Sequence, residues 1–519
     1  MRWIFADQLG PHFLGDGDHP GDDGAQEVLL VESRAAFARR RYHRQKAHLV
    51  LSALRHRAAE LGERATYVAT STYRAALAEV DSDLSVVDPT SWPARGLVRA
   101  LASERQVAIL PSRGFITTEA EFTRWADGRK QLRQEEFYRD ARRRTGILMD
   151  GADPVGGQWN FDAENRQPPP KGAARLGLPE PWWPVEDDID AGVRDDLDRW
   201  AREGLEFVGD DGPRRFAVTR AEALAVLSDF VEHRLGAFGP YEDAALVADW
   251  PMAHSLLSVP LNLGLLDPRE AIDAVTHAWS SGRAPLPSVE GFVRQVMGWR
   301  DYVWHLYWRF GPDYVETSNH LDARTPLPDW FRDLRAEDVR ARCLSTALRE
   351  VRERGWNHHI IRLMVLGNWA LQRGYEPREV TEWFTANYVD AYPWVMAANV
   401  VGMALHADGG RMATKPYAAG GAYIKRMTDF CAGCTYRPDR RVGEQACPVT
   451  AGYWAFISRH EEAFSRHPRM AQPARGLARL TDRDDLIAQE SRRGSDAPGS
   501  WTPQSSSTRA THVCATSWV

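Results

Sequence analysis

No stretch of this sequence approaches the roughly twenty consecutive apolar residues that a membrane-crossing helix requires. The opening residues, MRWIFADQLG, carry no basic leader followed by an apolar run, so the expectation is a soluble, cytoplasmic protein acting as a monomer. Cysteine is scarce: five among 519 residues, an odd and sparse set that excludes the disulfide framework of a small secreted domain. Neither G-x-G-x-x-G nor a Walker loop is present, which argues against ordinary dinucleotide or triphosphate binding. With a formal net charge of −6, the chain has no excess of positive charge to draw it indiscriminately to nucleic acid.

What is there suits a folded protein of more than one domain. Hydrophobic residues make up 43% and charged residues 26%, ordinary globular values, and the length exceeds what one core organises. Tryptophan is abundant, at twenty, and serves as core, as stacking platform or as both. Positive charge is concentrated locally, in RAAFARRRYHRQKAH (34–48), RWADGRKQLRQEEFYRDARRRTG (124–146) and KPYAAGGAYIKRM (415–427). Such segments can neutralise phosphates, although a solvated helix face is the plainer reading of the first two.

Periodicity divides the chain. RWIFADQL, EVLLVES, ATYVATS, LSVVD and QVAILP read as strands, with helical patterns such as YHRQKAHLVLSALRHRAAEL between several of them. This repetition predicts a doubly wound parallel α/β sheet over residues 1–130. A Gly-, Pro- and acid-rich connector is expected over 131–216. Over 217–484 strand signals vanish and helical spacing dominates, so the second domain is all-helical. Residues 485–519, rich in Ser, Thr, Arg and Gly, read as a disordered tail, with Cys514 in it functionless.

Several residues invite a chemical reading. In DFCAGCTYRPDRRVGEQACP, Cys431, Cys434 and Cys447 supply three thiolates, and Cys343 is the remaining ordered candidate for a fourth. Spacing alone leaves open structural zinc, an iron–sulfur cluster or unligated thiols. HSLLS (254–258), at a helix start, offers hydroxyls and free N–H groups to an anion, or is only a helix cap. Arg362 and Asp390 lie in apolar segments, where a lone buried charge is costly, so they are expected to pair. His358 and His359, read as successive positions on one helix, point about a hundred degrees apart, so at least one faces inward.

The strings ADQLG, GRKQLRQEEFYRDARRRTGILM, GGQWNFDAENRQP, HSLLS, EGFVRQVMGWRDY, HHIIRLM, NVVGM, ADGG, TKPYAAGGAYI and the cysteine motif together resemble the bacterial (6-4) photolyases and related iron–sulfur cryptochrome-like proteins. The resemblance covers nearly the whole chain up to about residue 475. It implies an antenna-type α/β domain, an FAD-binding helical domain, and a [4Fe–4S] cluster on Cys343, Cys431, Cys434 and Cys447. It further implies that Tyr241, Ser255, Leu256 and Ser258 hold the FAD phosphates and that Arg362 and Asp390 pair beside the flavin ring, with Trp383 and Met396 also near it. By the same resemblance His359 is the proton donor to the lesion, assisted by His358 and Tyr417, and Trp356, one turn earlier, shares the face of His359. Trp299, Trp356 and Lys415 would meet UV-damaged DNA, whose lesion must leave the base stack to react.

The chain also departs from that family. Ala36 stands where close relatives carry a glutamate that contacts a ribityllumazine antenna, although Asp7 remains, so the antenna is expected to bind weakly or not at all. Arg335 and Phe384 replace two aromatic electron-relay positions, Met396 replaces an acidic residue, and Leu363 replaces the second histidine of animal relatives. Two functions follow: an FAD-dependent (6-4) photolyase driven by blue light, expected here, and a cryptochrome-like flavin photoreceptor without repair. Retention of both histidines, Tyr417 and the basic segments favours repair.

Overall fold

The computed structural model describes residues 1–15 and 24–493. The expected tail beyond 493, including Cys514, lies outside them. Five strands, β1 (Arg2–Ile4), β2 (Val28–Ser33), β3 (Ala65–Thr70), β4 (Leu84–Val87) and β5 (Val107–Leu110), form one parallel sheet ordered β3-β2-β1-β4-β5. The order places β1 at the centre, and every residue of β1 and β2 is buried, as expected of strands covered on both faces. Register is direct: Trp3 pairs with Leu29 and Val86. Two charged side chains enter this core: Arg2 on β1, which donates to Phe13 O at 2.6 Å and Ser85 Oγ at 2.9 Å, and Glu32 on β2, bracketed by the Arg55 guanidinium at 3.0 and 3.1 Å and by the Tyr67 hydroxyl.

The stretch expected as connector is more structured than its composition suggests. Gln134–Thr145 is a helix, and so is Asp188–Arg202, whose Val193, Leu197 and Trp200 pack against Phe37, Ala47 and Leu51 of the sheet domain. Its start is fixed by a capping box between Asp187 and Asp190. Residues 217–493 are helical around a large core that includes Trp304, Trp369, Trp383 and Trp394. The tail expected from 485 begins inside a helix, Arg483–Arg493. That helix is pinned by buried Leu486 and by Glu490, which meets Arg373 at 2.8 Å.

The two halves pack closely. Lys46 extends from the helix Arg44–Leu61 to the carbonyls of Thr385 and Ala391, each at 2.6 Å, and Arg300 reaches Gly114 O at 2.7 Å. Burial lowers the Lys46 ammonium to about 7, although the Asp390 carboxylate opposes the shift. Among the described residues no helix is long and apolar enough to cross a membrane.

Candidate functional site

The two adjacent histidines have opposite environments. The helix begins at His359, not before His358, so the pair straddles a helix start instead of sharing two helical positions. His358 is 3% exposed and stacks on His254 with ring centroids 4.2 Å apart, while its Nδ1 accepts the Ile360 amide at 3.3 Å. His359 points outward, its side chain 51% exposed, with Nε2 3.3 Å from Asp243 Oδ1. Burial drives His254 down to about 3 and His358 well below the ordinary imidazole value, with neighbouring imidazoles adding to both shifts. Burial also works against Asp243, but the His359 hydrogen bond and charge, followed by Arg166, hold its carboxyl below the usual range.

Arg166 joins this network. It lies 3.1 Å from Glu242 and 4.0 Å from Asp243, and Glu242, almost fully buried, has its carboxyl raised by desolvation despite that partner. Tyr417 is exposed, and Arg166, Arg469 and Glu135 lie within electrostatic reach of it. Burial raises the Tyr423 phenol, and the Asp243 charge pushes the same way. Sequence reasoning missed Asp243, Arg166 and Tyr423 and gave His254 no role. The acidic pair after Tyr241 and the second tyrosine of GGAYI were the available signals.

Beneath lies a buried ion pair. Arg362 donates to both oxygens of Asp390, at 2.9 and 3.0 Å, and its Nε donates to Asn357 O at 2.6 Å. Its guanidinium also sits 4.1 Å from the centroid of the Tyr388 ring, a cation–π contact. Desolvation would raise Asp390, but Arg362, the Ser258 hydroxyl and Lys46 together hold it low. Ser258 therefore sits beside Asp390, at the start of the short helix Ser258–Asn262. Just before it, Leu256 takes a left-handed backbone (φ +56°) and Leu257 a right-handed one, a succession that turns consecutive N–H groups toward one concavity. The Ser255 hydroxyl accepts the Leu257 amide at 3.3 Å, and Tyr241 ends the helix Leu235–Tyr241 half-buried.

The remaining aromatic residues divide differently from expectation. Trp356 does not share the open face of His359: it is 4% exposed and packs on Phe216 and Trp250, because residues 356–358 precede the helix and turn its ring into the core. Trp299 is half-buried near Tyr302, and Lys415 is half-buried two residues before Tyr417. Trp383 is buried, donating Nε1 to Phe331 O at 3.1 Å and contacting Phe384 and Tyr388. Arg335 is exposed, whereas Met396 is buried at the end of Pro393–Met396. The helix turns that follow His359 and Met396, Ile361–Gly367 and Ala397–Ala404, are π-type, a winding frequent at functional sites.

The four ordered cysteines converge. Cys343 near the start of Arg342–Arg354, Cys431 and Cys434 in one turn, and Cys447 capping Pro448–Arg459 line a single enclosed cavity. Burial pushes Cys343 well above the ordinary thiol value and Cys431 up to about 12, with neighbouring thiolate charge as the next cause. Gly421 leaves the room they use, since a Cβ there would stand 2.9 Å from Cys447 Sγ. Two larger cavities, of about 520 Å³ around Tyr375 and Arg459 and of about 930 Å³ between residues 146–157 and 273–280, lie apart from these groups.

Known proteins share this architecture. A bacterial class III photolyase from Agrobacterium tumefaciens superposes with a TM-score of 0.55 at 17% identity, over 82% of this chain and 85% of its own. The Synechocystis cryptochrome gives 0.54 at 14%, over 82% and 87%. The fold is therefore that of photolyases and cryptochromes. Residues 2–205 match the family model described as deoxyribodipyrimidine photo-lyase-related protein. A (6-4) photolyase of Agrobacterium fabrum is 40% identical over 506 residues, spanning 93% of this chain and 97% of the relative. The chain belongs to the bacterial (6-4) photolyase family.

Proposed function

We propose that this protein is a light-driven DNA repair enzyme that reverses (6-4) pyrimidine photoproducts, with FAD in its helical part. The observation that carries the reading is the division of labour between two neighbouring histidines. His358 is sealed in the core within electrostatic reach of Arg362, which pairs with buried Asp390, while the His359 side chain is half exposed and faces Asp243.

The residues present fit the cofactor. The backbone turn at Leu256 and Leu257, with Ser255 and Tyr241, suits a pyrophosphate, and the Arg362–Asp390 pair suits the polar edge of a flavin ring. The buried Oη of Tyr392, within electrostatic reach of Asp390, lacks a hydrogen-bond partner, as a polar atom does where a polar group is to be received. Bound, reduced FAD supplies an electron under blue light, the step no side chain can perform. The chain does the rest. Arg362 and Asp390 fix the floor of the site, and His359 holds a proton at the solvent edge. Tyr417 and the basic segment around Lys415 receive the extruded lesion.

The four cysteines line one small cavity and suit a four-thiolate metal site, and the resemblance to iron–sulfur photolyases is what favours a [4Fe–4S] cluster over zinc there. Illuminating the reduced protein with single- and double-stranded DNA carrying a (6-4) lesion tests the function. Restored thymines support repair. Intact lesions with a flavin that responds to light would instead leave the photoreceptor reading, which the exposed Arg335 and buried Phe384 at relay positions favour.

A further inference from the structure

A second metal-binding constellation lies apart from the cysteines. One ring nitrogen from each of His254, His358 and His359 lies within 4.8 Å of the other two. Three imidazoles on one tetrahedral zinc hold their nitrogens roughly 3.4 Å apart, so modest side-chain movements bring the set onto a single ion. Two further observations point to a ligand there. His254 and His358 each leave Nε2 buried without a hydrogen-bond partner. Asp243, behind His359, faces Nε2 of that ring at 3.3 Å, which leaves Nδ1 to bind. A carboxylate on the second nitrogen of a ligating histidine is the usual outer-shell partner of zinc, fixing tautomer and ring orientation.

We propose that His254, His358 and His359, oriented through Asp243, form a binding site for a zinc ion, and that its occupancy withdraws His359 from the DNA substrate. The rings of His254 and His358 stack 22° from parallel and His359 stands at 86° to His254, so one of the two stacked rings must turn for the in-plane lone pairs of all three to converge on one ion, with a fourth position left for water. Binding at His358 Nε2 places that ring's proton on Nδ1 and gives up the 3.3 Å contact with the Ile360 amide, a long and weak bond. Imidazole and carboxylate suit zinc, whereas magnesium and calcium prefer all-oxygen sites. The binding itself is independent of the repair reading, and only its consequence for activity rests on that reading.

The test uses holoprotein with its cysteine site intact, equilibrated with excess zinc sulfate in the dark and dialysed. Wild type is expected to retain one more zinc per chain than His254→Gln. X-ray absorption at the zinc edge should show nitrogen and oxygen neighbours with imidazole outer-shell scattering. Asp243→Asn keeps all three ligands and should weaken zinc affinity by ten- to a hundredfold, which guards against misfolding of the histidine variant. Equal zinc in wild type and both variants, or a shell of sulfur alone, overturns the site. Zinc should also lower wild-type repair at least tenfold, reversed by chelator. Zinc binding without inhibition overturns the proposed withdrawal of His359, and absence of any repair by zinc-free wild type refutes the repair reading while the zinc content still decides the site.

Discussion

At the scale of single residues, the site separates a group that can exchange protons with solvent from groups that cannot. His359→Ala removes the open imidazole and leaves untouched the Arg362–Asp390 pair and the turn at Leu256. FAD content and DNA affinity should therefore hold while light-dependent repair falls a hundredfold to ten-thousandfold, the usual worth of a positioned acid. Repair yield per absorbed photon measures this, and equal yields for variant and wild type would exclude an acid role for His359. Asp390→Asn acts through another route. It leaves the largely buried Arg362 short of its bidentate partner. Breaking such a pair costs about 3–5 kcal/mol. The variant should bind FAD less well and unfold at lower temperature, and an unchanged flavin content after purification would remove the pair from the cofactor site.

At the scale of elements, buried neutral histidines link helices to the sheet domain. His305, in Asp301–Phe310, lies flat against Phe122 at 4.5 Å and contacts Thr117 O at 3.1 Å, and burial lowers it to about 3. The folded value is depressed below the ordinary 6.5, so the unfolded chain binds the extra proton. Stability from this group is full above 6.5 and drains away as pH falls toward 3. Each pH unit in that window removes about 1.4 kcal/mol. His305→Phe should therefore gain in melting temperature relative to wild type as the solution is acidified, and a constant difference would show that the ring does not titrate on unfolding. The cysteine cavity ties three elements together, so Cys434→Ala should lose iron and soluble yield together, because metal-site energy is folding energy. Iron loss with undiminished yield would make the site dispensable for folding. Element by element, the five strands were legible because β-branched runs leave little alternative. The helix Asp188–Arg202 was hidden by flanking prolines, though Val193, Leu197 and Trp200 carry its spacing, and Arg483–Arg493 was hidden by its charge. The pairing of His359 with Asp243 spans 116 positions and leaves no local trace.

At the scale of the whole molecule, the sheet domain supports the helical domain through buried polar contacts, and this bears on what else it holds. Lys46 and Arg300 bridge the halves, and Leu9 N donates to Leu263 O at 3.1 Å. Asp7, the acid that the family resemblance would assign to an antenna, is turned into this junction. It accepts the Thr90 hydroxyl, and burial raises its carboxyl above the usual range in spite of that bond. Its surroundings are Tyr73 and Tyr392, both raised by burial and then by Asp7 itself. Ala36, half-buried against the cluster of Phe37 and Trp200, offers no polar atom beyond its backbone. A lumazine would thus meet one acid already engaged and one methyl group, and each missing hydrogen bond forfeits about 0.5–1.5 kcal/mol, more where a buried polar group is left unpaired. The purified protein should carry far less lumazine than flavin, and Ala36→Glu should raise the amount retained when the pigment is supplied. Lumazine recovered in equal amount with FAD from wild type would show that Asp7 and backbone groups suffice, and that the sheet domain collects light as well as bearing load.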